Sequence, residues 1–138
     1  MIKAKEFWKF LCEGMDYRIF SGVPCLGFAT LYDCMSSKFM HYIPAVDEHS
    51  AFGISLGAAV AGVRTGVLVD CNYLDLTEDW MKFCFEHKKH VVILTNGEPK
   101  NNVSKLVFDG DYTKLEKYLS TKRKGEKPAI IVLEGVSK

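Results

Sequence analysis

The stretch Ile43-Pro44-Ala45-Val46-Asp47-Glu48-His49-Ser50-Ala51-Phe52-Gly53-Ile54-Ser55-Leu56-Gly57-Ala58-Ala59-Val60-Ala61-Gly62 runs from a short apolar strand straight into a small-residue helix. It places one carboxylate, Glu48, at the junction. A carboxylate there has two roles open to it. It can stabilise the positive end of the helix dipole, as acidic residues in first turns do. It can instead exchange a proton with a ligand nitrogen, because the carboxyl ends of strands are where ligands meet such sheets. A second position of interest is Cys25, which follows Gly22-Val23-Pro24 in a loop. Other chemistries lack their residues. No G-x-G-x-x-G or G-x-x-x-x-G-K-[ST] phosphate loop is present, nor a G-x-S-x-G nucleophile elbow. Asp109-Gly110-Asp111 lacks the further oxygen ligands of a calcium loop and reads as the entry turn of a helix.

The elements that must position these residues alternate. Ala4 to Glu13 sets Phe7, Trp8, Phe10 and Leu11 near one helical face, with Gly14 as its stop, and Arg18 to Val23 reads as a strand ended by Pro24. A helix over Gly27 to Ser36, a strand over His41 to Val46 and a helix over Asp47 to Val63 follow. Thr65 to Cys71 has the continuous apolar character of a buried parallel strand. The next helix, Thr77 to Glu86, should carry Trp80, Met81, Cys84 and Phe85 inward. His90 to Thr95 is a fourth strand, and Asn96-Gly97-Glu98-Pro99-Lys100-Asn101-Asn102 has loop chemistry. A weaker strand over Val103 to Phe108, a helix over Tyr112 to Lys122 and a strand over Ala129 to Leu133 complete the chain. This alternation predicts an α/β fold, a doubly wound and mainly parallel sheet with helices on both faces, in one domain over residues 1–138.

Gly53, Gly57 and Ala61 lie four apart on the helix after Glu48, beside a second stripe of Ala51, Ser55, Ala58 and Gly62. Each interior glycine costs about 1 kcal/mol of helix propensity relative to alanine. Close approach to another backbone, either its own sheet or a partner's helix, would offset that cost.

Composition narrows the class further. Among 138 residues, 25% are charged and the formal net charge is +1, which gives no electrostatic case for nucleic acid or a membrane surface. The basic run Lys122-Arg123-Lys124 sits where a helix ends, a favourable place for cations. The first residues mix charges through their apolar positions, so no signal peptide is expected, and Ile54 to Val63 is too short to span a bilayer. The expected location is cytoplasmic. Five widely spaced cysteines without metal-ligand spacing should be reduced, most of them buried, and no metal site is expected.

Phe20-Ser21-Gly22-Val23-Pro24-Cys25, Ile43 to Ala51, Gly57-Ala58-Ala59-Val60-Ala61-Gly62 and Gly66-Val67-Leu68-Val69 together resemble the pyrimidine-binding (PYR) domain of thiamine-diphosphate-dependent enzymes. The resemblance is closest to the alpha subunit of phosphonopyruvate and sulfopyruvate decarboxylases, and it covers residues 1 to about 70. It implies a thiamine-diphosphate-binding fold of PYR type. It also implies that Glu48 hydrogen-bonds N1′ of the aminopyrimidine and promotes the imino tautomer that deprotonates the thiazolium, after which the cofactor takes up the electrons of the departing CO2. By the same resemblance Pro24 and Cys25 face the cofactor, and Cys25, Leu26 and Asn72 face a small 2-oxo acid substrate.

Two departures stand out. The decarboxylases carry Asn-Ser-Gly-Leu-Gly-Asn where this chain has Cys71-Asn72-Tyr73-Leu74-Asp75-Leu76, and Asn96-Gly97-Glu98-Pro99 only echoes their Arg-Gly-Glu-Pro. The Gly-Asp-Gly and distant Asn that hold Mg2+ and diphosphate in the family are missing as well. The resemblance therefore implies one subunit of a two-chain decarboxylase, a carboxy-lyase in a homo- or hetero-oligomer. Thiamine diphosphate and Mg2+ would be held jointly with a separate diphosphate-binding (PP-type) partner. A non-catalytic scaffold or regulatory module of the same fold is the alternative, and an unrelated flavodoxin-like domain a third.

Overall fold

The computed structural model describes residues 2–99 and 103–138; the loop residues Lys100, Asn101 and Asn102 lie outside them. The strands are β1 (Ile2–Lys3), β2 (Ile19–Gly22), β3 (His41–Pro44), β4 (Thr65–Val69), β5 (Val92–Thr95), β6 (Leu106–Phe108), β7 (Ala129–Leu133) and β8 (Val136–Ser137). The α-helices are α1 (Ala4–Lys9), α2 (Ala29–Asp33), α3 (Glu48–Val60), α4 (Glu78–Glu86) and α5 (Tyr112–Lys124). Six strands form one sheet in the order β3-β2-β4-β5-β7-β6, every neighbouring pair parallel. The doubly wound α/β architecture expected from the alternation is what the chain adopts. Strands β1 and β8 add a small parallel pair that ties the two ends of the described chain together, an element too short to show in the sequence pattern.

Right-handed crossovers place a helix on one face when the strand order advances and on the other when it reverses. Accordingly, Phe7, Trp8 and Leu11 of the first helix, Leu31 of α2, and Leu115 and Leu119 of α5 pack with Phe20, Leu68, Val92, Leu94 and Ile131 on one face. Ala51, Phe52 and Leu56 of α3 and Cys84 of α4 pack with Val67, Val69, Ile93 and Ile130 on the other. Strands β4, β5 and β7 are buried along their whole length, as their apolar runs require of a parallel sheet covered twice.

Several expectations are corrected. The first helical run ends at Gly14, where the stop was expected, but its second half is not α-helical. The helix loosens into a π-turn, Phe10–Gly14, and the chain reverses at Asp16, which takes the left-handed conformation (φ 62°). The segment after β2 is a 3-10 turn, Leu26–Phe28, followed by only five residues of α2. Phe85 points outward and is half exposed, because the inward stripe of α4 is limited to Trp80, Met81 and Cys84. Two of the five cysteines, Cys12 and Cys84, are buried, and Cys25, Cys34 and Cys71 are only partly so; all are free. Burial pushes the thiol of Cys12 up to about 12 and that of Cys84 to about 11, so both act as small apolar groups.

The glycines of α3 are not explained by packing on their own sheet. A Cβ placed on Gly53 or Gly57 would meet nothing of this chain within 4 Å. The close seam is made instead by the neighbouring stripe: Ala51, Ser55 and Ala58 are buried, and the Ser55 hydroxyl donates to the Gly66 carbonyl at 2.9 Å.

Candidate functional site

The strand order sets the carboxyl-end loops side by side. Gly22 of β2 pairs with Pro44 of β3 and with Leu68 of β4, and Val69 of β4 pairs with Thr95 of β5. Four loop segments thus form one rim in the order Val46–Glu48, Pro24–Leu26, Asp70–Asn72 and Asn96–Glu98. The sheet changes winding direction between β2 and β4, the position at which such sheets open a crevice for ligands. Pro24, Cys25 and Asn72 stand at that switch point, and Glu48 stands one strand to the side.

Glu48 is the first residue of α3, and it is half-buried. Asp47 before it is the N-cap, its carboxylate accepting the Ser50 N–H at 2.7 Å, and that hydrogen bond holds the Asp47 carboxyl below its ordinary value. The capping task therefore belongs to Asp47. Among the described residues Glu48 enters no ion pair, so its carboxylate, an acceptor on both oxygens, is left open at the rim.

The next residue, His49, was not singled out by sequence reasoning. Its Nδ1 accepts the indole N–H of Trp80 at 2.7 Å, and Trp80 is stacked over Phe52 with an interplanar angle of 16°. Indole N–H only donates, which fixes the imidazole proton on Nε2 in the neutral ring. Nothing local marks this contact, since its partners lie 31 residues apart.

The loop after β2 is held from below and from the side. The hydroxyl of Tyr42 in β3 donates to the Gly22 carbonyl at 3.1 Å and lies 3.3 Å from the hydroxyl of Tyr32 in α2. Burial pushes both phenols above their ordinary values, with the mutual contact adding to the rise for Tyr32. Cys25 sits above them, partly buried. Desolvation raises its thiol, the N–H groups of Gly27 and Phe28 oppose the rise, and the nearby Asp70 carboxylate reinforces it. Cys25 is thus a neutral thiol able to hydrogen-bond, not a thiolate nucleophile. Pro24, Cys25, Leu26 and Tyr32 line an open hollow of about 420 Å³, and Leu26 is 93% exposed beside it.

Asn96 joins the rim together. Its Oδ1 accepts the Cys71 N–H at 3.0 Å, while its amide nitrogen occupies the space over Gly27 that an added Cβ would need. One side chain at the end of β5 therefore spans the loops after β2 and β4. The loop signal at Asn96-Gly97 marked the position in the sequence but not the clasp. Asp70, also unremarked there, caps the 3-10 turn Cys71–Thr77 by accepting the Asn72 N–H at 2.9 Å, which leaves the Asn72 side chain exposed.

A six-stranded parallel sheet with helices on both faces, and loops gathered beyond the carboxyl ends of its strands, define a doubly wound α/β domain. The same fold is found in 2-oxoglutarate:ferredoxin oxidoreductase from Magnetococcus marinus, solved with 2-oxoglutarate, coenzyme A and succinyl-CoA bound. The match has a TM-score of 0.61 over 96% of this chain at 15% identity, and this chain spans 28% of that one. No protein-family model matches the sequence, and no curated protein matches it. Among the described residues no helix is long and apolar enough to cross a membrane.

Proposed function

We propose that this chain is the pyrimidine-binding subunit of a two-chain, thiamine-diphosphate-dependent decarboxylase acting on a small anionic 2-oxo acid of the phosphonopyruvate or sulfopyruvate type. The observation that carries the proposal is Glu48, a half-buried carboxylate released from capping by Asp47, in no ion pair among the described residues, at the start of the helix that follows the carboxyl end of β3. The residues present suit the pyrimidine half of the cofactor. An acceptor-only carboxylate can bind a ring nitrogen and hold its proton. Pro24 and Cys25 would flank the cofactor, and Cys25, Leu26 and Asn72 would face the substrate.

Bound thiamine diphosphate supplies the electron sink that decarboxylation requires. Glu48 holds a proton at N1′ of the aminopyrimidine, the neutral Cys25 thiol donates a hydrogen bond, and the Asn96 clasp keeps the loops in register. Leu26 and Val46, 93% and 90% exposed, would exclude water once a second chain covers the rim. Mg2+ and the diphosphate would be held by a partner chain bearing Gly-Asp-Gly, as the resemblance implies. A protein of the same fold was solved with 2-oxoglutarate, itself a 2-oxo acid, bound.

A non-catalytic module of the same fold is the second reading, favoured by the Asp70-capped turn that stands where the decarboxylases have Asn-Ser-Gly-Leu-Gly-Asn. Assaying CO2 release from phosphonopyruvate and sulfopyruvate separates the two. Release should require this chain, its Gly-Asp-Gly partner and the cofactor, and should be abolished by Glu48→Gln. Full activity in Glu48→Gln would overturn the role of Glu48, and inactivity of a well-assembled wild-type complex on every 2-oxo acid would favour the module.

A further inference from the structure

A cavity of about 330 Å³ opens between α1 and the connection from α2 to β3, at the amino end of β3, whereas Glu48 follows its carboxyl end. Its floor is apolar and close-packed. Trp8 and Met40 are each 4% exposed and Cys12 is fully buried, while Phe39 forms part of the wall. The polar edge of Trp8 is already engaged, its Nε1–H donating to the Leu31 carbonyl at 2.9 Å, so the indole offers the cavity its carbon surface.

The mouth is of opposite character. Lys5 and Lys9 stand there one helical turn apart on α1, and among the described residues neither enters an ion pair. Like charges at this spacing destabilise a helix, a repulsion that a bound anion relieves. Glu13 also lines the cavity, so the mouth carries two cations and one carboxylate, a net single positive charge. That balance suits a monoanion better than a dianion. Glu13 and Cys12 both come from the π-turn, a costly local geometry that recurs at functional sites.

We propose that this cavity binds a small monocarboxylic acid with an aromatic or branched aliphatic body, the apolar part on Trp8, Met40 and Phe39 and the carboxylate between Lys5 and Lys9. The volume falls at the lower end of the range for small-molecule sites, which fits a ligand of roughly ten non-hydrogen atoms. The site is independent of the cofactor chemistry proposed above, and either can fail without the other.

Phenylacetate and its uncharged counterpart phenylacetamide are suitable probes. The chain has two tryptophans, so Trp80→Phe leaves Trp8 as the sole indole emitter. Phenylacetate should change its emission saturably with a dissociation constant on the order of 1 mM. Phenylacetamide should bind about tenfold more weakly, the factor expected for losing one charge-assisted contact. Lys5→Gln with Lys9→Gln should weaken phenylacetate about tenfold and leave phenylacetamide unchanged. If Trp80→Phe fails to fold, the Trp8 indole N–H resonance of the wild-type chain reports the same titration. No saturable response to phenylacetate, or equal affinity for acid and amide, would overturn the proposal.

Discussion

Gly27→Ala and Asn96→Ala should not behave as independent substitutions. In the wild-type chain a Cβ on Gly27 would collide with the Asn96 amide nitrogen and lie 3.4 Å from its Cγ, so the Asn96 side chain must swing away. It cannot do so freely, because its Oδ1 accepts the Cys71 N–H at 3.0 Å. Gly27→Ala alone should therefore cost roughly the net value of that hydrogen bond, about 1 kcal/mol, plus some strain. Asn96→Ala alone should cost a similar amount, about 1 kcal/mol. In the Asn96→Ala background the obstruction is gone, and Gly27 lies in a 3-10 turn without a positive φ. There the added methyl should be neutral or stabilise by about 0.4–1 kcal/mol, through lower unfolded-state entropy. Urea unfolding of the four proteins gives the double-mutant cycle, with an expected coupling of about 1–2 kcal/mol and a reversal of sign. Equal destabilisation by Gly27→Ala in both backgrounds would refute the clasp.

Asp47→Ala should lower the urea midpoint through loss of the α3 cap, whereas Glu48→Gln should leave stability within about 0.5 kcal/mol of wild type, a contrast readable in parallel melts. Ser55→Ala removes the buried donor to the Gly66 carbonyl and should destabilise by about 1–3 kcal/mol, measured the same way. His90 should make the fold sensitive to mild acid. Its ring joins the Tyr17 hydroxyl and the Lys127 carbonyl, and burial lowers its value from 6.5, with Arg123 and Arg64 acting in the same direction and the Lys127 carbonyl against it. The unfolded chain then binds the proton first, so stability falls as pH drops below about 6.5 and levels off beneath the folded value. A stability-against-pH series should show this loss in wild type and a smaller one in His90→Gln; identical profiles would contradict it.

The parts of the fold that were legible in the sequence are those governed by local pattern. Ala129–Leu133 is recovered to the residue because a strand buried on both faces must be apolar throughout. Thr65–Cys71 was overextended only where Asp70 and Cys71 leave the ladder to begin a capped 3-10 turn. The entry of α5 at Asp109-Gly110-Asp111 was legible because capping is a local signal; Asp111 accepts the Thr113 and Lys114 N–H groups. The π-turn escaped because a five-residue stretch with wider hydrogen-bond register barely disturbs the apolar period of Phe7, Trp8 and Leu11. Phe85 was misplaced because periodicity gives a stripe but not its width. At the site, Glu48 was legible from its junction, whereas the Trp80–His49 contact and the Asn96 clasp join segments 31 and 25 residues apart and have no local signature. The glycines at 53 and 57 were legible as an anomaly, and the open space above them removes the chain's own sheet as its explanation while leaving a partner's helix as the alternative.

The proposed role of Glu48 is to activate an aminopyrimidine held between this chain and a partner. Isothermal calorimetry with thiamine diphosphate and Mg2+ tests it most directly, run on this chain alone, on the complex with the Gly-Asp-Gly partner, and on the complex carrying Glu48→Gln. The isolated chain should show little or no binding and the wild-type complex saturable binding, with binding weakened about tenfold or more in Glu48→Gln, the loss of one charge-assisted hydrogen bond. Absence of binding in an assembled wild-type complex, or equal affinity with and without the Glu48 carboxylate, would contradict it.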